Sequence, residues 1–127
     1  MSICPRVFLV MLFFACPGLV QAQDPPATSC LLGGPTYYLA SDTVQWSMAI
    51  ASGQTCVRGL RANNTVLDNI ELITPPKAGQ VRLQGPAFTY KADPDFQGTD
   101  SFAFSVSGRI NKMTGSSTIQ ILVSVRP

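Results

Sequence analysis

Histidine is absent from this 127-residue sequence. That absence removes the side chain that most often serves as a catalytic acid or base near neutral pH, and the commonest metal ligand with it. Serines are plentiful but have no evident base beside them, and catalysis by two carboxylates would need paired acids. The sequence therefore predicts a protein that is not an enzyme and needs no cofactor.

Charged residues are scarce, at 13% of the chain, and the basic ones are scattered rather than clustered. One of the nine Lys and Arg residues, Arg6, falls in a segment that we expect to be removed, which leaves a nearly neutral mature chain. A nucleic-acid surface would need a basic patch, so nucleic acid is excluded as a partner. Beyond the N-terminal segment no apolar run is long enough to span a membrane.

The first 22 residues have the pattern of a signal peptide. A short segment containing Arg6 precedes the apolar run "VFLVMLFFA" at residues 7–15, which is too short for a membrane-spanning helix. The small residues of "VQA" predict cleavage after Ala22. In a competing interpretation, "FFAC" is a lipobox and Cys16 becomes a lipidated N-terminus. Either way we expect export to the periplasm or the cell exterior.

The mature chain has room for one domain. Residues 23–29, "QDPPATS", read as a flexible leader, and residues 30–127 form the domain. Two of the four cysteines leave with the signal peptide, so Cys30 and Cys56 remain. In an oxidising compartment these two are expected to form a disulfide; the alternative is two free, buried thiols.

Apolar residues alternate with polar ones in three segments: "VQWSMAI" at 44–50, "SFAFSVS" at 101–107 and "TIQILVSV" at 118–125. A period of two is typical of a strand buried on one face. Weaker strand candidates, separated by turn signals, lie at residues 36–39, 55–61, 66–74, 80–84 and 87–91.

Seven or eight short strands and no helical periodicity predict an all-β fold, an antiparallel β-sandwich. Trp46 is expected at the centre of the core, and a buried tryptophan near the predicted disulfide is an Ig-like arrangement.

The C-terminal half, residues 73–125, resembles the bacterial Ig-like, cadherin-like repeats of envelope and surface proteins. The residues that carry this resemblance are Pro76, Gly79, Val81, Phe88, Tyr90, Phe96, Gly98, Asp100, Phe102, Phe104, Val106, Val123 and Val125. The chain departs from the repeat pattern at Ala92, where proline is usual, and at Phe104, where tyrosine is commoner. The resemblance implies an envelope location and an Ig-like fold in a single copy.

The acidic stretch "DPDFQGTD", residues 93–100, has two interpretations. As a structural turn, it begins at Asp93, Phe96 folds back as an apolar plug, Gly98 allows a positive φ, and Asp100 accepts hydrogen bonds from backbone amides. As a calcium site, Asp93, Asp95 and Asp100 would supply the oxygens. The turn is the favoured interpretation, and no metal is predicted.

Tyr37 and Tyr38 are expected to point to opposite faces of a strand, one into the core and the other outward, either as a tyrosine at the rim with no ligand or as a contact for protein or sugar. We therefore expect a monomeric, exported, non-catalytic module that binds an envelope protein or glycan or has a structural role. An alternative is a secreted accessory or inhibitor protein that acts on an enzyme through loops at one end of the sandwich.

Overall fold

The computed structural model describes residues 30–62 and 64–127. The predicted signal peptide, the lipobox cysteine Cys16 and the leader at residues 23–29 lie outside the described residues. Within them the chain forms eight strands: β1 (Leu31–Gly33), β2 (Asp42–Ala51), β3 (Thr55–Gly59), β4 (Thr65–Thr74), β5 (Gly79–Gln84), β6 (Ala87–Ala92), β7 (Gly98–Ile110) and β8 (Met113–Arg126).

The strands form two sheets that pack as a sandwich. The larger sheet has the order β1-β2-β8-β7-β4, and the smaller sheet has the order β3-β6-β5. The predicted all-β, Ig-like sandwich is therefore confirmed. One pair departs from the antiparallel expectation: β2 runs parallel to β8 along its whole length, from Asp42 opposite Ser117 to Ala51 opposite Arg126.

Four aromatic rings from facing strands β6 and β7 fill the centre of the core. The rings of Tyr90 and Phe102 stack with centroids 5.2 Å apart, and those of Phe88 and Phe104 are also 5.2 Å apart. All four side chains are fully buried, and burying one large apolar side chain stabilises a fold by about 1.5–3 kcal/mol. Alternation explains the arrangement, because every second residue of each strand faces the other sheet.

A β-bulge interrupts the alternation in β4. The pairing register with β7 shifts between Leu67 and Asn69, so Leu67 and Ile70 both pack against the core. Gly108 lies opposite on β7, where an added Cβ would come within 2.0 Å of the carbonyl oxygen of Val66. Only glycine permits this close approach of the two backbones.

Two local predictions are wrong. Residues 36–39 are not a strand; the first strand is instead β1, which pairs with β2 opposite residues 47–49. Trp46 is not at the centre of the core: it packs against the core from its margin, where residues 34 and 35 lie against its ring. Its indole is half-buried and donates a hydrogen bond to the carbonyl of Pro35, 2.8 Å away.

Candidate functional site

The acidic stretch forms a connection between β6 and β7 with its first two carboxylates in solvent. Asp93 and Asp95 are both exposed. The Asp93 carbonyl accepts the Phe96 N–H at 3.3 Å, which closes a turn. Phe96 is half-buried and packs against the rim of the core rather than within it. Gly98 has a φ of +136°, a conformation that favours glycine.

Asp100 lies apart from those two acids, buried at the start of β7. Its carboxylate accepts the backbone N–H groups of Lys77 and Ala78 at 2.9 Å each and that of Ser101 at 2.8 Å. The Tyr90 hydroxyl donates a fourth bond at 3.0 Å. Two of these amides belong to the β4–β5 loop, not to the acidic turn. Asp100 therefore ties the β4–β5 loop to the larger sheet.

These hydrogen bonds shift the pKa values of Asp100 and Tyr90. Burial alone would raise the pKa of the Asp100 carboxyl, but the donated hydrogen bonds outweigh it and hold the pKa below its ordinary value. The pKa of Tyr90 moves the opposite way and is raised, first by burial and then by its bond to the Asp100 carboxylate and by the carboxylate's charge. The pair is thus held as a carboxylate and a neutral phenol.

The three acids of the calcium interpretation do not form one cluster. Within residues 30–62 and 64–127, no group of three or more His, Cys, Asp or Glu side chains lies close enough together to hold a metal ion. Both oxygens of Asp100 already accept hydrogen bonds, whereas Asp93 and Asp95 face solvent.

The two tyrosines lie in a loop before β2, but they do point in opposite directions. Tyr37 is fully buried, and its hydroxyl donates to the Leu60 carbonyl at 2.6 Å. Burial is the main reason that the pKa of Tyr37 is raised. Tyr38 is 68% exposed, so it is the one available for contact.

A second carboxylate, which sequence reasoning missed, holds this loop. Asp42 accepts the backbone N–H groups of Tyr38 at 2.9 Å and Ala40 at 3.1 Å, and it accepts the Ser117 hydroxyl. The Ser117 oxygen in turn accepts the Leu39 N–H at 2.9 Å. The usual turn pattern did not signal this role, because an aspartate in a turn commonly bonds to backbone two residues later, whereas the amides that bond to Asp42 precede it.

The Cys30–Cys56 disulfide is present as predicted, with a Cα–Cα distance of 5.6 Å. Cys30 directly precedes β1, an edge strand of the larger sheet, and Cys56 lies in β3, an edge strand of the smaller sheet. The Arg58 guanidinium donates to the Cys30 carbonyl at 2.8 Å on the same side. We call this β1–β3 edge of the sandwich the bonded side.

The opposite edge, formed by β4 and β5, we call the open side. Among residues 30–62 and 64–127, β4 pairs only with β7 and β5 only with β6, so each presents an edge that no described strand covers. A cleft of about 540 Å³ lies here between β4 and the β5–β6 turn. Its apolar lining includes Val66, Leu67, Ile70, Leu83 and Pro86, with Arg61 at one end.

No catalytic arrangement is evident in the described part of the chain. The Ser117 hydroxyl touches a carboxylate, but Ser117 is buried and its oxygen is engaged by Asp42 and Leu39. Nor is there a helix long and apolar enough to cross a membrane within those residues.

Two facing sheets, an edge-to-edge disulfide and a strand order with β2 parallel to β8 define an immunoglobulin-like module. The sequence model of the bacterial Ig domain matches residues 35–124, more than half of the chain, and the chain belongs to that family. No curated protein matches the sequence.

Among solved structures, a similar chain is that of the "Crystal structure of Listeria monocytogenes InlP", at 15% sequence identity and a TM-score of 0.26. The match covers 67% of this chain and 26% of the InlP chain, so this chain spans about a quarter of that protein.

Proposed function

We propose that this protein is an exported bacterial Ig module that binds another protein or a glycan, or has a structural role, in the cell envelope, without catalysing a reaction. The disulfide between the two sheet edges carries the proposal, because such bonds persist in exported proteins and are rare in the cytosol. Bacterial Ig domains are typical of surface and envelope proteins, which supports the same location. The signal-peptide pattern of residues 1–22 adds an independent argument from sequence.

A binding role is supported by the way in which the exposed Tyr38 is presented. Its backbone is fixed by Asp42, and the neighbouring Leu39 is fixed by Ser117. A tyrosine on a loop that is already ordered loses little conformational entropy when it makes a contact. We propose Tyr38 as one contact residue.

Fractionation of cells that produce the full chain tests export. We expect the protein in the periplasmic or extracellular fraction, beginning at Gln23 by intact mass and carrying the Cys30–Cys56 bond. A lipidated Cys16 would correct the processing site and leave export standing. Reduced protein confined to the cytoplasm contradicts the proposal.

Cross-linking in intact envelopes tests binding. Cross-linked wild-type protein should give a discrete complex that weakens when Tyr38 is changed to serine. The matched control is Val57→Ser, which removes an exposed apolar side chain from the smaller sheet. An equal loss of the cross-linked complex in both variants would show that Tyr38 does not contribute specifically to binding.

A further inference from the structure

The open side contains a cleft whose shape, free backbone groups and charge together fit one class of ligand. We infer that the cleft binds an extended peptide segment of a partner protein, with apolar side chains facing the cleft and a carboxylate at the Arg61 end. This inference rests on the proposed binding role and adds to it the site and the class of partner.

The backbone argument comes from the free edges. Outward-facing N–H and C=O groups of β4 have no strand of the described chain beside them, and an added strand is the partner that satisfies such groups in series. Register shifts at residues 67–69 and 72–74 divide β4 into short stretches of regular pairing. Only a short segment can therefore add to β4, which also protects this edge from unlimited association between copies.

The apolar argument comes from side chains that face between the sheets but are incompletely covered. Leu67 and Ile70 on β4 pack against the core from the rim of the sandwich, and Leu83 on β5 remains 38% exposed although it lies opposite the buried Phe88. An extended peptide presents every second side chain to one face. Alternating apolar residues would therefore cover this lining.

The charge argument comes from Arg61. The cleft contains one acid, Asp68, and its carboxylate already lies 3.7 Å from the Arg109 guanidinium. Arg61 makes no ion pair with any described residue. Glu71 lies opposite Ser105, on the outer face of the sheet and away from the cleft lining. The uncompensated charge in the cleft is thus a single cation at one end, which favours a carboxylate over a neutral or basic group.

The test uses two blocked seven-residue peptides of alternating serine and valine, identical except that the first residue is glutamate in one and glutamine in the other. Each is titrated into the isotopically labelled, oxidised protein while backbone amide signals and hydrogen exchange are followed by NMR. We expect shifts and slowed exchange centred on β4, with the glutamate peptide binding about two- to five-fold more tightly, the range for an exposed ion pair. High salt should reduce that preference.

Two pairs of variants separate the cleft from general effects. Arg61→Gln should remove the preference for glutamate while leaving the affinity for the glutamine peptide unchanged, whereas Arg82→Gln, an exposed cation on β5, should keep the preference. Leu83→Asp should abolish binding of both peptides. Its control is Val57→Asp, because Val57 is equally exposed at 38% on the edge strand β3 of the bonded side. If the Leu83→Asp variant does not fold, the comparison of Arg61→Gln with Arg82→Gln still tests the inference.

Four results would overturn the inference: no saturable shift at millimolar peptide, shifts centred on β1 or β3, equal affinity for the two peptides, or filling of the cleft by a second copy at high protein concentration. A neutral oligosaccharide that shifts cleft signals when neither peptide does also counts against it. Loss of the peptide site leaves the proposed function intact if envelope cross-linking still captures a partner. Cytoplasmic, reduced protein contradicts the proposed function whatever the peptides do.

Discussion

The bonded side and the open side of the sandwich are held together by different interactions. On the bonded side a covalent bridge joins the edges of the two sheets, and Arg58 adds a hydrogen bond across the same gap. The open side has no covalent link in the described chain, and its β4–β5 loop is held by the buried Asp100 carboxylate. A covalent link fixes one edge permanently, whereas the hydrogen bonds at the other edge are strongest while Asp100 is ionised. The open side, which we propose accepts a partner, is thus the side held by reversible hydrogen bonds.

Removing the disulfide should have the largest effect on stability. The Cys30→Ala/Cys56→Ala double variant should lose about 3 kcal/mol of unfolding free energy, because the unfolded chain is no longer constrained by the loop. Chemical denaturation of the oxidised protein and the variant measures the difference. Reduced wild-type protein is the control and should match the variant. A loss below about 1 kcal/mol would mean that the bonded side is held mainly by packing.

Asp100→Asn should cost about 2–3 kcal/mol on the open side, because buried amide donors and the Tyr90 hydroxyl lose a charged acceptor. Denaturation measures the stability, and amide exchange should show that Lys77 and Ala78 become less protected. Asp95→Asn, an exposed acid in the nearby turn, is the matched control and should change stability by less than about 0.5 kcal/mol. Equal effects would show that Asp100 has no special role.

Acid should remove the contribution of Asp100 to the free energy of unfolding but not the contribution of the disulfide. Since the folded-state pKa of Asp100 lies below its ordinary value, its stabilisation is fully present above the ordinary carboxyl pKa and is lost as the pH falls through the folded-state pKa. The stability gap between wild type and Asp100→Asn should therefore narrow below about pH 4. Urea titrations of both proteins at pH 7, 4 and 2.5 measure this difference in stability. A gap that is independent of pH would assign the loss to packing instead of charge.

Glycine replacements should also distinguish the two sides. Gly108→Ala should destabilise the protein by about 1–3 kcal/mol, because the new methyl group meets the Val66 carbonyl of β4. Gly33→Ala in β1 should be nearly neutral, since nothing lies within 4 Å of its added Cβ. Thermal denaturation of both variants makes the comparison. A neutral Gly108→Ala would show that β4 can move away from β7 at little cost.

Calcium should have the smallest effect. The melting temperature should be the same with calcium and with chelator, because a ligand that does not bind the native state cannot stabilise it. The same experiment on Asp93→Asn checks the acidic turn directly. A calcium-dependent rise in melting temperature that disappears in this variant would show that calcium binds at the acidic turn.

Sequence patterns predicted the fold best where large apolar residues alternate with small or polar ones. The alternation around Phe102 and Phe104 located β7, although Ala103 between them is also buried and Ser105 is half-buried. The pattern at residues 36–39 looked similar, but its exposed Tyr38 and buried Tyr37 are placed by loop hydrogen bonds rather than by strand pairing. Local alternation does not distinguish those causes.

Long-range partners were less predictable than local roles. An aspartate that accepts backbone amides could be anticipated at position 100, but the donating loop, about 22 residues earlier in sequence, could not. Likewise the position of Trp46 depends on its contact with residues 34 and 35, which lie 11 to 12 residues earlier in the chain and which the alternation of β2 does not encode. The cleft was missed for the same reason, since its walls come from strands in different sheets.

The disulfide also decides how the molecule would carry mechanical load. Tension applied between residue 30 and residue 127 passes directly from Cys30 to Cys56, so the 26-residue step between them, with β1 and β2 inside it, bears no force along its own backbone. Stretching the oxidised chain would leave that segment unextended. Reduction would release about 90 Å of additional contour length, from 26 residues at roughly 3.5 Å each. Redox state therefore sets the maximum reach of the module when it is pulled.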